Sequence, residues 1–249
     1  AAVVFAGLTV AQLFALPQRV GDTPQEKTSV WHDWRTVAAN RSFLLFAAAM
    51  IGSYVLSFQV YLALPLQARH LFPHHDAVVT TMIFLVSGLI AVIGQLRITR
   101  WFAGRWGSGR SLVIGMLILA VSFLPLVVLP DDTRAGHVAA ATALLIATAV
   151  LAVGSAAVFP FEMDTVVSLA DNKLVGTHYG FYNTIVGIGI LGGNLATGSV
   201  MQATREQGYP ELVWVLLAGI GLLSAAALYR LDRSGRLQPQ QPTVDVTTP

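Results

Sequence analysis

Cysteine is absent from the 249-residue sequence. That excludes disulfide frameworks, thiolate nucleophiles and cysteine-based zinc or iron–sulfur centres. Charge is the second scarcity. Asp, Glu, Lys and Arg make up 11% of the residues, against about 25% in an ordinary soluble domain. The formal net charge of +2 is too small to indicate a nucleic-acid partner.

The third absence is positional. Seven stretches carry no Asp, Glu, Lys, Arg or His: Ala1–Leu16, Phe43–Leu64, Val78–Leu96, Ser111–Leu129, Val138–Phe159, Tyr179–Met201 and Leu212–Tyr229. A charged side chain at the centre of a bilayer costs about 2.5–3.5 kcal/mol on insertion scales, so this clearing of charge marks segments built for lipid. The last six run 18 to 23 residues, and at ~1.5 Å per residue such lengths match a hydrocarbon core of ~30 Å. Barrel strands would be shorter and would alternate, so the fold expected is all-α and membrane-integral. Ala1–Leu16 is slightly short for a span and lacks the charged flank of a signal peptide; it reads as the end of a truncated helix. The expectation is six complete transmembrane helices after that truncated one.

Basic residues set the orientation. If successive connections alternate sides, 12 of the 15 Lys and Arg fall on one side and Arg69, Arg134 and Arg205 on the other. The basic side is cytoplasmic by the positive-inside rule, and it includes the C-terminal tail. The sequon at Asn40 lies on that side and is discarded as a glycosylation site. The organisation expected is a helix end at 1–16, a central cytoplasmic loop at 17–41, a six-helix domain at 42–231 and a disordered cytoplasmic tail at 232–249. Within the loop, Trp31, Trp34 and Val37 recur at i, i+3, i+6, which suits a short amphipathic helix at headgroup level. A loop with incidental tryptophans is the alternative.

Local patterns carry a resemblance. The run Tyr54-Val-Leu-Ser-Phe-Gln59-Val-Tyr-Leu-Ala-Leu-Pro65 looks like the seventh helix of bacterial drug–proton antiporters of the major facilitator superfamily. Ser168-Leu-Ala-Asp171 with Gly176 and Tyr179-Gly180-Phe181 resembles their loop into the eleventh helix, and Gly187 to Gly198 resembles that helix. Arg100-Trp-Phe-Ala-Gly104-Arg105-Trp-Gly107-Ser-Gly-Arg110 is similar to the family's loop motif, with Arg105 and Gly107 matching and Gly104 standing where the motif has Asp. The resemblance implies the C-terminal half of a major facilitator transporter in the plasma or inner membrane. Its partners would be the lipid bilayer, a missing N-terminal six-helix half and a small-molecule substrate. Export of drugs or other lipophilic molecules by proton antiport is the cargo reading. Sugars, peptides or organic anions, or a non-transporting scaffold, are the alternatives. An intramembrane enzyme would need paired Asp or a Ser–His pair in the membrane, and no His or Asp lies in the apolar stretches.

Gly187-Ile-Gly189-Ile-Leu-Gly192 fits a dinucleotide fingerprint by letters, but it sits mid-helix without a preceding strand, so no cofactor is expected. Gly189, Gly193 and Thr197 instead form a small-residue packing ridge. Asn183, Gly187, Ile190 and Asn194 lie on another arc of that helix, which should meet a partner helix or a wet cavity. Tyr54, Phe58 and Tyr61 form an aromatic stripe with Ser57 beside it. This is either packing or the wall of a site for lipophilic cations, whose bulk needs aromatic surface and few polar handles. Gln59 falls off the stripe and reads as structural, and Gln95 reads as interfacial. Arg100, Arg105, Gly107 and Arg110, with Glu162 and Asp164, are candidates for a cytoplasmic gate in which Arg100 or Arg105 pairs with one of the two acids. Fixing topology is the plainer role of the arginines. His70, His74, His75 and Asp76 would bind metal only by converging on one centre, and no metal site is assigned. Proton coupling needs a titratable group in the pathway. It is therefore expected in the missing half, or at Glu162 or Asp164.

Overall fold

The computed structural model describes residues 30–129, 136–170 and 174–237. The helix end expected at 1–16, the first part of the loop expected at 17–41 and the residues beyond 237 lie outside the described residues, as do Arg134 and Lys173. Among the described residues the structure is helical without strands. The helices are α1 (Val30–Ala39), α2 (Arg41–Ser57), α3 (Ala63–Leu71), α4 (Asp76–Leu89), α5 (Gln95–Val121), α6 (Leu124–Val128), α7 (His137–Leu169), α8 (Val175–Glu206) and α9 (Leu212–Arg233).

Among the described residues, five stretches are long and apolar enough to cross a membrane: Arg41–Leu71, Asp76–Val128, His137–Leu169, Val175–Glu206 and Leu212–Arg233. The sequence reading expects six complete spans. The difference arises at Gly107, where α5 continues without an intervening loop although Gly107 itself is far from helical (φ 72°, ψ 178°). A positive φ of this kind is one that glycine adopts without strain. Beyond it the Ser111 hydroxyl reaches the Phe102 carbonyl at 3.4 Å. A straight helix would hold residues nine apart at ~13 Å, so the chain folds back here.

Two other stretches are interrupted mid-span. A 3-10 turn at Phe58–Val60 separates α2 from α3. Pro65 explains part of this, because it has no N–H to offer the Tyr61 carbonyl four residues earlier. A π turn at Ile90–Gly94 joins α4 to α5. α7 carries Pro160 without breaking, and it runs ten residues past Phe159, where the charge-free stretch ends.

Small residues let the helices close on one another. A Cβ on Gly115 would lie 2.7 Å from Val158, and one on Gly154 would lie 2.9 Å from Leu119, so α5 and α7 meet backbone to side chain. Phe43, Phe46, Met50, Leu56, Leu112, Met116, Leu144 and Trp214 fill the core between helices. Many large apolar side chains of α4 and α8 are exposed, among them Leu85, Leu89, Ile188, Leu191 and Leu195. α1 forms where the tryptophan spacing points: Val37 is buried, Trp34 meets Phe181 edge to face at 5.2 Å, and Trp31 is exposed.

Candidate functional site

The mid-span irregularities converge on one cavity. The helix break after Ser57, the π turn at Ile90–Gly94 and the length of α7 before Pro160 enclose about 240 Å³. Phe58, Tyr61 and Phe159 give it aromatic surface, and Ser57, Ser87, Gln95 and Ser155 give it polar groups. The Ser57 and Ser155 hydroxyls are 2.9 Å apart across the α2–α7 contact. Tyr61 packs on Phe58 (5.7 Å) and Phe84 (5.8 Å). Aromatic walls with a few neutral polar groups suit a lipophilic solute that makes one or two hydrogen bonds.

The sequence candidates divide around this cavity. Ser57, Phe58 and Tyr61 line it together. Tyr54 stands one contact away, its ring 5.5 Å from Phe159. Asn194 is held outside the cavity by Gln59, whose Nε2 donates to Asn194 Oδ1 at 3.4 Å and to the Val55 carbonyl at 2.6 Å. Gln59 is fully buried and its Oε1 has no partner. Asn183 is exposed on α8. Gln95, read as interfacial, lines the cavity because the π turn carries α5 past it.

Glu162 lies beyond the aromatic wall, one turn along α7 from Phe159. It is fully buried. The Tyr182 hydroxyl donates to its Oε1, while Oε2 has no hydrogen-bond partner. Tyr54 is the second phenol facing the carboxyl. Phe43 and Phe46 back the Tyr182 ring at 6.4 and 6.2 Å. An ionised carboxylate sunk among aromatics without a cation is costly, by several kcal/mol on the scale of effective burial penalties. Such a residue carries a strong suggestion of function.

A wider cleft of about 1130 Å³ opens at the Gly107 end, lined by Gly107, Ser108, Arg110, Asp164, Asp232 and Arg233 among others. Ser108 donates to Asp164 at 2.9 Å. Asp232 lies over Gly109, where a Cβ would sit 2.0 Å from its Oδ1. Thus Gly107, Arg110 and Asp164 share one site. Arg100 donates instead to its own helix at the Leu96 carbonyl (3.1 Å), and Arg105 lies 5.8 Å from the Trp106 ring centre. In this structure neither arginine meets Glu162 or Asp164.

At the α2–α8 contact, Cβ atoms on Gly189 and Gly193 would lie 2.6 Å from Ile51 and 2.5 Å from Val55. Thr197 is buried on the same ridge. His75 occupies the N-cap position of α4 without a side-chain capping bond, and among the described residues no three His, Asp or Glu side chains are grouped to hold a metal.

Sequence reasoning missed Tyr182, Ser155 and the partnership of Gln59 with Asn194. Each depends on which helices adjoin, and no spacing within one helix announces it. The one available signal was Glu162 itself, had α7 been extended past Phe159.

Comparison with known proteins gives a consistent set. Residues 1–194 match the model of the Major Facilitator Superfamily. An MFS-type transporter of Mycobacterium tuberculosis, itself described as uncharacterized, is 56% identical over 93% of this chain and 55% of its own length. Multidrug resistance protein MdtH of Klebsiella pneumoniae is 25% identical over 86% of this chain and 52% of its own length. The chain therefore spans about half the length of the curated relatives it matches.

Proposed function

Because the chain belongs to the Major Facilitator Superfamily, we propose that it is the C-terminal half of a secondary transporter that exports lipophilic small molecules in exchange for protons. The observation that carries this reading is the aromatic cavity bounded by Ser57, Phe58, Tyr61 and Phe159. Its neutral polar groups, and the lack of a cationic side chain among its lining residues, favour lipophilic cargo over organic anions. The resemblance to a protein named for multidrug resistance points the same way.

Six spans are the count we adopt. Asp76–Val128 is 53 residues long, or ~80 Å if straight, against a hydrocarbon core of ~30 Å. Division at Gly107 yields two spans of ordinary length. With six spans the basic residues gather on the cytoplasmic side of the plasma membrane, together with the C-terminus. In this reading the remainder of the full-length protein supplies the other six-helix half, and the two halves rock about a midplane site. In that motion Arg100 or Arg105 meets Asp164 in the alternate state and closes the cytoplasmic side. Glu162, held by a phenol in the buried core, is no longer a gate partner in this reading.

The test uses the full-length protein in everted membrane vesicles. A lipophilic dye is expected to accumulate when a proton gradient is imposed and to leak back on addition of an uncoupler. Gradient-independent accumulation, or transport of a sugar or peptide in place of the dye, would overturn the proposal.

A further inference from the structure

We infer that Glu162 is the group that takes up and releases the coupled proton, with Tyr182 and Tyr54 as its positioning residues and Phe159 as its link to the cavity. The inference rests on the transport reading above and assigns its coupling to one carboxyl.

The two carboxyl oxygens have different surroundings. Oε1 accepts from the Tyr182 hydroxyl, whereas Oε2 has no hydrogen-bond partner. A proton on Oε2 therefore displaces no existing bond, and the Tyr54 phenol stands nearby as a second O–H donor to the carboxylate. The charged and titratable groups on the packed elements are few. α2 offers Tyr54, and α8 offers Tyr182. Tyr179 of α8 is committed to the Met163 carbonyl at 3.1 Å, and His178 lies against Phe43 with its Nδ1 3.1 Å from the Leu174 carbonyl. On α7 itself Asp164 turns into the cleft with Arg110 of α5 and with Asp232 and Arg233 of α9. None of these cations touches Glu162. Among the described residues its charge is thus balanced by phenol dipoles alone, an arrangement sensitive to small movements of those phenols.

The same tyrosine connects the carboxyl to the cargo. The Tyr54 ring packs 5.5 Å from Phe159 and 6.4 Å from Tyr182, and Phe159 is a cavity wall. A solute that moves Phe159 moves Tyr54, and a phenol brought closer to the carboxyl as a donor favours the carboxylate and expels the proton. Pro160 lies between Phe159 and Glu162 and frees the Ala156 carbonyl, so α7 bends most easily at this step. Thr165, one turn beyond Glu162, lines the Gly107-end cleft. The proton leaves Oε2 for water in that cleft, the carboxylate keeps both O–H bond electrons, and the Tyr182 O–H stays intact as its donor.

The experiment measures proton release when ethidium binds to the purified full-length protein in weakly buffered detergent, with a pH indicator. Wild type is expected to release protons on binding, at a pH-dependent yield. Glu162→Gln is expected to bind ethidium and release none, and Tyr182→Phe to move the pH profile of release without abolishing it. Glu162→Asp, which retains a carboxyl, is expected to restore release at a displaced pH and guards against a folding defect in the amide variant. Unaltered release by Glu162→Gln would overturn the inference, as would an unmoved profile in both Tyr182→Phe and Glu162→Asp. Failure of the wild type to bind ethidium would instead count against the cargo reading.

Discussion

Asn40 joins the start of one long helix to the end of another through its side chain, accepting from the Phe43 N–H at 3.1 Å and donating to the Leu169 carbonyl at 3.1 Å. The first bond caps α2 and the second satisfies a carbonyl near the end of α7. Asn40→Ala removes both, with an expected loss of about 1–2 kcal/mol for the cap and up to about 3 kcal/mol if the carbonyl stays dry. Asn40→Ser keeps the cap and loses only the bridge, so its melting temperature in detergent should fall between wild type and Asn40→Ala. Equal loss in both variants would mean that the cap contributes nothing.

Gly192 and Gly193 are neighbours with opposite surroundings. Nothing lies within 4 Å of a Cβ built on Gly192, while one on Gly193 would meet Val55 at 2.5 Å. Gly193→Val should therefore force α8 from α2, at about 1–3 kcal/mol. Gly192→Ala should be neutral, or stabilising by up to about 1 kcal/mol through helix propensity. Thermal unfolding of the two variants side by side measures the difference directly.

What the sequence could and could not disclose follows from the range of each interaction. Helices in lipid declare themselves by removal of charge, a local property, so the six apolar stretches from Phe43 to Tyr229 are helical along most of their length. Gly189 and Gly193 could be paired by their spacing, because a helix face is also local. Glu162 lies beyond the charge-free stretch that ends at Phe159; α7 continues past it and buries the acid against Tyr182, a residue of α8. The wall formed by Ser155 and Gln95 was invisible for the same reason. Ser155 looked like one small residue among many, and Gln95 reaches the cavity through a π turn that no residue pattern advertised.

Gln59 and Asn194 supply a polar contact in the membrane interior, and its strength is open to direct measurement. Interhelical side-chain hydrogen bonds in membranes average about 0.6 kcal/mol and reach about 1.7 kcal/mol. The 3.4 Å separation argues for the lower end, so a double-mutant cycle of Gln59→Leu and Asn194→Leu should yield a coupling near 0.6 kcal/mol. Gln59→Leu alone should cost little or stabilise, because it also removes the unpartnered Oε1. A coupling well above ~2 kcal/mol would indicate a water or further polar group between the two, joining them into a network.

The fold-back at Gly107 has a consequence for topology that labelling can test, helped by the lack of native cysteine in this chain. Single cysteines at His74, Gly104 and Ser234, all exposed, would be placed in a full-length protein freed of any other cysteine. If the chain reverses at Gly107, Gly104 lies at a membrane surface on the same side as Ser234. A membrane-impermeant maleimide applied to intact cells should then modify the His74 position alone, and applied to everted vesicles it should modify the other two. If Asp76–Val128 crossed only once, Gly104 would lie within its 53 residues, ~42 Å from Asp76 by helical rise and past a core of ~30 Å. The His74 and Gly104 labels would still face opposite sides, so they cannot separate the two topologies. Ser234 does, because one fewer crossing moves it to the outer surface. Labelling of Ser234 and His74 together from outside would refute the six-span count, and labelling of Ser234 only from inside would support it.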